Sequence, residues 1–315
     1  MLRYLIYSLR IRRVEYRIAE LPIFLIPVLL TVTGTAAFRS AAFWEGLLIF
    51  LFLFAYGDLL NCLADRDLDA VYKPHLTEAV YGLGTHQVIL QAAFSAAAAL
   101  GLAAHLSWLL DRWVLLPMVV AGLLVGAAYS LEPVRLKGRG LWQLVFYWPG
   151  LFTGPMLFAA MLFSPWPPAE VIAVAAAYGM MQTGVLLVNT AEDFPEDREM
   201  GVNTVILALG LRRGIESGVF LTIGGATGLV AVFLWIIYNR HLPSWTQAAL
   251  LPLATSGLVV SVSLGRLLSR MTSGGGTEEH MVREVKASGR WVPAWITSLA
   301  LSTLAVAAAI WWATR

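Results

Sequence analysis

The acidic side chains of this chain are concentrated in two short segments. The stretch DLLNCLADRDLD, which directly follows the apolar run LLIFLFLFAYG, has four aspartates within twelve positions. A second group stands in EDFPEDRE, again at the end of an apolar run. With Glu78, these segments hold half of the 20 acidic residues. Like charges this close repel unless a cation neutralises them, so the clustering indicates a cation site.

The two segments also share one spacing. Each has an asparagine followed by two aspartates at four-residue steps: Asn61, Asp65 and Asp69 in the first, and Asn189, Asp193 and Asp197 in the second. On a helix, residues at this spacing drift slowly around one face and converge on a single point. Pro195 predicts that the second segment kinks or restarts at that residue. The repetition makes the pattern more specific than one occurrence would.

Carboxylate and amide oxygens in this arrangement suit Mg²⁺, which binds through one or two carboxylates together with substrate phosphates. Basic residues in neighbouring loops provide groups that hold phosphates; they are Arg66, Lys73, Arg135, Lys137, Arg139 and Arg198. We therefore predict a metal-bridged diphosphate at the membrane surface, with its lipid tail between helices. The alternative is that these loops are solvated and merely balance charge, which we favour for Glu78, Glu199, Arg212 and Arg213.

The elements that position these residues must be membrane helices. The composition is 58% hydrophobic and only 13% charged, with a mean hydropathy of +0.71, whereas soluble domains carry about 25% charged residues. Apolar runs of about 20 residues are long enough to cross a bilayer as helix. We predict an all-α polytopic membrane protein with nine transmembrane helices, at about 22–38, 42–63, 86–110, 113–131, 141–163, 169–190, 215–238, 246–268 and 291–313.

Lysines and arginines predict the orientation of this bundle. All but four of the 22 fall on one side of the predicted spans; the exceptions are Arg39, Arg112, Arg240 and Arg315. By the positive-inside rule the N-terminus and both acidic segments are cytoplasmic. We therefore expect a multi-pass protein of the cytoplasmic (inner) membrane with its active site facing the cytoplasm. The net charge of +2 gives nucleic-acid binding no support.

We expect a single transmembrane domain over residues 1–315. Within it, residues 1–20 read as an interfacial amphipathic segment, because arginines interrupt the apolar residues throughout. The sequence does not indicate an oligomeric state.

Three ordered stretches resemble the UbiA-type intramembrane prenyltransferases. The first acidic segment is similar to the NDxxDxxxD motif of that family, and AYSLEPVRLKGRG (128–140) is similar to its YSxPPxRxK stretch. The stretch EDFPEDREMGVNTV (192–205) is similar to its DxxxDxxxGxxT pattern. The resemblance implies helices around a central cavity and Mg²⁺-dependent transfer of an isoprenyl group from a prenyl diphosphate donor to a lipophilic acceptor, expected to be aromatic, among membrane lipids.

The resemblance also implies roles for individual residues. Asp65, Asp69, Asp193 and Asp197 would be catalytic and, with Asn61, would bind the diphosphate through Mg²⁺. Further residues would contact the substrate; they are Asn61, Arg66, Lys73, Tyr129, Arg135, Lys137, Tyr147, Asn189 and Arg198. For Tyr129 and Tyr147, packing is the alternative role.

Cys62 departs from the family motif, which has an aspartate there. Asp58 lies one helical turn earlier on the same face, so we predict that it supplies the missing carboxylate as a metal ligand. The rival interpretation is a structural acid that hydrogen-bonds a neighbouring helix. The altered motif also leaves open a terpene cyclase, in which the ionised prenyl chain attacks itself. A transporter is the third alternative, although transport normally places ionisable groups near the bilayer midplane.

Overall fold

The structure, a computed structural model, describes residues 2–273 and 277–315, apart from the side chains of Glu15 and Tyr72. These residues are helical, without a named β-strand. The α-helices are α1 (Leu2–Ile11), α2 (Arg17–Thr31), α3 (Ala41–Tyr72), α4 (Pro74–Leu83), α5 (Thr85–Leu109), α6 (Leu115–Ser130), α7 (Gln143–Val145) and α8 (Gly154–Met161). They continue with α9 (Ala169–Glu192), α10 (Phe194–Glu199), α11 (Val205–Leu209), α12 (Leu211–Asn239), α13 (Trp245–Ala248), α14 (Leu250–Ser273), α15 (Glu278–Gly289) and α16 (Val292–Ala313).

Short helices of other types complete the backbone. Four 3₁₀ segments are found in the described residues: Val14–Tyr16, Thr35–Arg39, Leu136–Gly138 and Gly140–Trp142. Between α7 and α8 the chain forms a π-helix, Phe146–Thr153, which contains Pro149. Proline lacks the N–H of a regular helix, so a wider turn is the local solution.

Within the described residues, seven helical stretches are long and apolar enough to cross a membrane: Ala41–Val71, Thr85–Leu109, Gly140–Met161, Ala169–Glu192, Leu211–Asn239, Trp245–Ser273 and Val292–Ala313. Each overlaps one of the nine predicted spans, so the prediction of an all-helical, multi-pass membrane protein is confirmed. The other two predicted spans correspond to shorter helices. Helix α2 has 15 residues, with Pro22 and Pro27 inside it, and α6 has 16 residues.

The chain divides into two compact units. The first unit contains the residues up to Arg17 and Thr35–Leu136. Its central element is α3, which packs against α4, α5 and α6, while α1 packs against α4. Ser40 caps α3 by accepting a hydrogen bond from Phe43 N, and Pro74 opens α4 directly after α3 ends.

The second unit contains Ile18–Gly34 and Lys137–Arg315. Helix α9 is central to it, packing against α12, α15, α16 and the π-helix. Glycines bring α9 and α12 close together: a Cβ added to Gly184 would lie 2.5 Å from the carbonyl oxygen of Gly218. Small residues permit such close backbone approach between membrane helices.

In both units, the acidic segment is followed by a similar order of short helix, glycine and long helix. In the first, a short helix (α4) is followed by Gly84 at φ 86° and then by the long helix α5. In the second, the short helix α11 is followed by Gly210 at φ 81° and then by the long helix α12. Glycine adopts positive φ without steric cost, so both positions turn the chain sharply back. The repeated spacing of the acidic segments is therefore accompanied by a repeated local architecture.

The N-terminal segment differs in part from the prediction for residues 1–20. Helix α1 ends at Ile11, a 3₁₀ turn follows, and α2 already begins at Arg17. Tyr7 and Ile11 are buried, whereas Leu2 and Leu5 are exposed. One face of α1 is therefore packed against the first unit, and the other is an apolar, accessible face.

Candidate functional site

The first acidic segment lies on the last turns of α3. Asp65 and Asp69 are buried, with 9% and 7% of their surface exposed, as the four-residue spacing on one helix face requires. Asp67 between them is exposed and accepts a hydrogen bond from Tyr81 Oη at 2.8 Å. Burying a carboxylate is costly unless it is paired or binds a metal. Burial therefore separates Asp65 and Asp69, which have the predicted spacing, from the exposed Asp67 between them.

The loop after α6 brings polar groups to this segment. Arg135 Nη2 lies 3.9 Å from Asp65 Oδ1, and Ser130 Oγ donates to Asn61 Oδ1 at 3.4 Å. Arg135 adopts a positive φ of 41°, a conformation that non-glycine residues rarely take and that often accompanies functional sites. Its Nε is buried and has no hydrogen-bond acceptor among the described residues. The structure thus joins two of the three motifs of the sequence.

Asp58 and Cys62 are each engaged by the N-terminal segment. Arg17 Nη2 lies 2.6 Å from Asp58 Oδ2. Cys62 is 1% exposed and belongs to an apolar cluster with Ile11, Leu59 and other side chains; its Sγ donates to the carbonyl of Ile11 at 3.6 Å. Cys62 therefore points into packed side chains. Asp58 has an arginine partner, as the rival interpretation of a structural acid requires, and its role as a metal ligand stays a prediction.

The other two basic residues predicted near this segment lie close to the helix end. Arg66 Nη1 donates to the carbonyl of Leu63 at 2.8 Å, and its Nη2 is 3.5 Å from Asp67 Oδ2. Lys73 is the residue that connects α3 to α4. Tyr129 is partly buried at the end of α6, where its neighbour Ser130 makes the contact with Asn61.

The second acidic segment contains a helix break. Helix α9 ends at Glu192 and α10 begins at Phe194, with Pro195 in its first turn, as the proline predicts. Asp197 is buried and Asp193 partly buried. The backbone of Asp197 donates to the carbonyl of Asp193 at 2.8 Å and accepts from Val202 N at 2.8 Å. Asn189 is exposed, in contrast to Asn61 in the first segment.

Tyr147, predicted to contact substrate, lies in a buried hydrogen-bond chain that reaches this segment. Gln143 Nε2 donates to Tyr147 Oη at 2.9 Å, and Tyr147 Oη is 2.9 Å from Thr190 Oγ1. The amide of Val205 donates to Gln143 Oε1 at 3.0 Å. All four residues are buried, so Tyr147 is hydrogen-bonded within the second unit.

Helix α15 packs against the second acidic segment and forms two ion pairs with it. The two terminal nitrogens of the Arg198 guanidinium, Nη1 and Nη2, donate to the carboxylate of Glu278, Nη2 to Oε2 at 2.8 Å. Lys286 Nζ lies 2.6 Å from Glu196 Oε1. The hydrogen bond from Arg198 holds the pKa of Glu278 below its usual range. Arg198 also lies over the Phe194 ring, 4.5 Å from its centroid.

The remaining basic motif residues fall in the loop before α7. Lys137 is 7% exposed. The next residues pair with the chain after the second acidic segment: Gly140 N donates to the carbonyl of Asn203 at 2.7 Å, and Arg139 forms an isolated β-bridge with Asn203. The second unit thus brings the KGRG stretch (137–140) to the GVNTV stretch.

The donor chemistry of both segments fits Mg²⁺. Among the described residues, no group of three or more His, Cys, Asp or Glu side chains forms a ready-made metal cage. Mg²⁺ does not require one, because it keeps waters and binds through one or two carboxylates plus phosphate oxygens. Asp65, Asp69, Asp193 and Asp197 provide only hard oxygen ligands, which are those that Mg²⁺ prefers.

Sequence reasoning missed several residues that touch the predicted ones. Gln143, Thr190, Glu278 and Lys286 all make hydrogen bonds to predicted residues or to their segments. Thr190 had a local signal, because it stands three residues before Asp193. Glu278 and Lys286 had none, because their contacts span about 80–90 residues of chain.

Comparison with known proteins gives consistent matches. The model of the UbiA prenyltransferase family matches residues 21–271, which include both acidic segments. Chlorophyll synthase of Oryza sativa subsp. japonica is 28% identical over 166 residues, 50% of this chain and 43% of that protein. The bacteriochlorophyll synthase 33 kDa chain of Cereibacter sphaeroides is 28% identical over 149 residues, 46% of this chain and 47% of that protein. The matched stretches thus span less than half of these relatives.

Solved structures share the fold over nearly the whole chain. A UbiA homologue from Archaeoglobus fulgidus, solved with GPP and Mg²⁺, superposes with a TM-score of 0.66 at 16% identity. The superposition covers 94% of this chain and 99% of that one. At this identity the likeness concerns the fold.

Proposed function

Because this chain belongs to the UbiA prenyltransferase family, we propose that it transfers an isoprenyl group from a prenyl diphosphate to a lipophilic acceptor within the membrane, with Mg²⁺ as cofactor. The observation that carries this proposal is the contact between Arg135 and Asp65 in the first unit. Arg135 is of a residue type that binds phosphates, and it has a rare backbone conformation. It lies beside Asp65, a carboxylate of the repeated acidic pattern.

The proposed residues act by binding and charge stabilisation. Mg²⁺, when bound, would act as a Lewis acid on the leaving diphosphate. Asp65 and Asp69 of the first unit, and Asp193 and Asp197 of the second, would supply carboxylate ligands for Mg²⁺, with Asn61 as a further oxygen donor. Arg135, with Lys137, Arg66 and Arg198, stabilises the charge that develops on the leaving group. Apolar helices exclude water from the allylic cation that forms when the carbon–oxygen bond breaks.

For the acceptor, we propose a chlorophyll-type tetrapyrrole as the first compound to test. The support is the match to two proteins named as chlorophyll or bacteriochlorophyll synthases. Such a macrocycle also agrees with the lipophilic, aromatic acceptor that we predict from the family resemblance. Quinone-ring precursors are the second class to test.

The chain is an integral, multi-pass membrane protein by its apolar helices and its family. We propose that it resides in the cytoplasmic membrane with the N-terminus and both acidic segments in the cytoplasm, on the support of the basic-residue asymmetry. We further propose that residues 1–315 act as one domain, because the family match runs through both compact units.

The test is incubation of membranes containing the protein with a panel of prenyl diphosphates, Mg²⁺ and either acceptor class, followed by mass spectrometry of the lipid extract. We expect a prenylated acceptor and released diphosphate. A cyclised hydrocarbon formed from prenyl diphosphate alone would instead identify a terpene cyclase. The absence of any Mg²⁺-dependent product across the panel would contradict the proposal.

A further inference from the structure

The stretch from Thr190 to Val205 contains the whole second acidic segment, and both of its ends are tied to the same pair of side chains. At its start, Thr190 Oγ1 is 2.9 Å from Tyr147 Oη. At its end, the amide of Val205 donates to Gln143 Oε1 at 3.0 Å. Gln143 and Tyr147 are joined to each other at 2.9 Å. We call these four residues the clamp.

The direction of every hydrogen bond in the clamp is determined by its chemistry. A backbone amide only donates, so the Gln143 oxygen faces Val205 and the Gln143 amino group faces Tyr147. The Thr190 hydroxyl donates its single proton to the carbonyl of Leu186 at 3.0 Å. Tyr147 therefore donates to Thr190 and accepts from Gln143. Each hydrogen bond of the clamp therefore pairs one donor with one acceptor, from Thr190 at one end of the acidic segment to Val205 at the other.

The clamp is also buried, which makes each of its hydrogen bonds matter. Gln143 is 2% exposed, Thr190 6% and Tyr147 7%. Removing one member leaves its partner as an unsatisfied buried polar group, which is more costly than losing a surface hydrogen bond. Buried and fully satisfied polar networks hold a single local geometry.

We propose that Gln143 and Tyr147 are positioning residues for the second acidic segment. They fix the distance between the end of α9 and the start of α11, and so set how Asp193 and Asp197 are presented to Mg²⁺ and diphosphate; this inference rests on the proposed function. Thr190 lies one helical turn before Asp193. The Asp197 carbonyl accepts from Val202 N, which connects that aspartate to the end that Gln143 holds. In this proposal the clamp acts through the segment, and Tyr147 has its alternative, packing role.

The chain offers matched controls for a merely structural role. Tyr178 is a second fully buried tyrosine with a glutamine partner, Gln182, at 3.3 Å, and it lies on α9 away from the acidic segment. Thr183, also on α9, is fully buried, and its Oγ1 has no hydrogen-bond partner among the described residues. Tyr178→Phe and Thr183→Val therefore remove the same groups from the same unit as Tyr147→Phe and Thr190→Val.

Two readouts test the clamp in the full-length protein in detergent or nanodiscs. Amide hydrogen exchange of peptides covering residues 194–205 should quicken about tenfold in Tyr147→Phe and Thr190→Val and remain unchanged in the controls. The Mg²⁺ concentration for half-maximal prenyl transfer should rise about three- to tenfold, and more Mg²⁺ should restore most of the rate. The double variant should show less than the sum of the two single effects, because both substitutions remove the Tyr147–Thr190 hydrogen bond, while each also removes one bond of its own, from Gln143 or to the Leu186 carbonyl. Thr190→Ser, which keeps the hydroxyl, should behave like wild type.

Hydrogen exchange needs no turnover. It therefore tests whether the clamp holds residues 194–205 even if the wild-type protein transfers no prenyl group and the proposed function fails. Exchange in the clamp variants equal to that in Tyr178→Phe would overturn the inference. So would faster exchange in an active enzyme whose Mg²⁺ dependence is unaltered, because the clamp would then hold the loop without positioning the aspartates.

Discussion

Arg17 and Asp58 form an ion pair inside the first unit, with Arg17 Nη2 2.6 Å from Asp58 Oδ2. Their side chains are only 17% and 22% exposed, and Arg17 also donates to the carbonyl of Arg12. The pair joins the start of α2 to α3 at Asp58, the first residue of the first acidic segment. A carboxylate in this setting needs its partner, because an unpaired charge within a membrane span is costly.

We predict that Arg17→Leu and Asp58→Asn each lower the stability of the protein by about 2 kcal/mol, because each leaves a half-buried charge or amide without its partner. The double variant should lose less than the sum of the two. Thermal unfolding of the purified variants measures both effects. If Asp58→Asn raises the Mg²⁺ requirement of the enzyme while Arg17→Leu does not, Asp58 is a metal ligand as the sequence pattern predicts.

The second prediction concerns the two acidic segments. Asp65→Asn and Asp193→Asn should each reduce diphosphate release at least about a thousandfold, because the proposed reaction depends on electrostatic stabilisation of the leaving group. Asp67→Asn and Glu199→Gln, exposed acids in the same segments, should retain near wild-type rates. A chelator in excess should stop wild-type turnover, and added Mg²⁺ should restore it. Full activity in chelator would refute metal dependence.

The third prediction concerns Glu278, whose carboxylate is hydrogen-bonded to the guanidinium of Arg198. If Arg198 contacts diphosphate, Glu278 competes with the substrate, and Glu278→Gln should lower KM for the prenyl diphosphate. Because both side chains are about half exposed, the effect should be modest, about 1.5- to fivefold. Glu279→Gln is the control for a neighbouring charge. A raised KM in Glu278→Gln would show that Glu278 orients Arg198 for binding.

The same pair predicts a dependence on pH. The pKa of Glu278 is lowered in the folded protein by the hydrogen bond from Arg198. A carboxylate with a depressed pKa stabilises the folded state above its unfolded pKa and loses that contribution as pH falls through the folded value. The attachment of α15 should therefore persist at neutral pH and weaken below about pH 4. Hydrogen exchange of residues 278–289 between pH 3 and 7, compared with Glu278→Gln, measures the change.

The last prediction concerns topology. Cysteines are introduced at Met200, which is 52% exposed, and at Ser244, which is exposed between α12 and α13, in a background where the buried Cys62 is replaced by serine. In intact cells an impermeant reagent should label Ser244→Cys and not Met200→Cys, because the distribution of basic residues predicts that the second acidic segment is cytoplasmic. Labelling of Met200→Cys from outside would show that the orientation is the opposite of the predicted one.

The sequence by itself determined the class of the protein and showed where its acidic segments lie along the chain. Hydropathy identified the helices that cross the membrane, because the transfer of apolar residues into hydrocarbon depends on composition over one short stretch. The repeated spacing of aspartates identified the acidic segments, because four-residue steps are a local property of a helix. Pro195 marked the break between α9 and α10 for the same local reason.

Only the tertiary structure decided which side chains meet. Four contacts join residues at least 40 positions apart: the ion pair of Asp58 with Arg17, the contact of Cys62 with Ile11, the hydrogen bond between Tyr147 and Thr190, and the contact of α15 with Arg198. Such contacts depend on how several helices pack together, and helical periodicity within one element carries no information about that packing. Hydropathy likewise placed the ends of two spans differently from the structure, at 22–38 where α2 is Arg17–Thr31 and at 113–131 where α6 is Leu115–Ser130. It averages apolar residues over a stretch and does not register the residue at which a helix begins or ends.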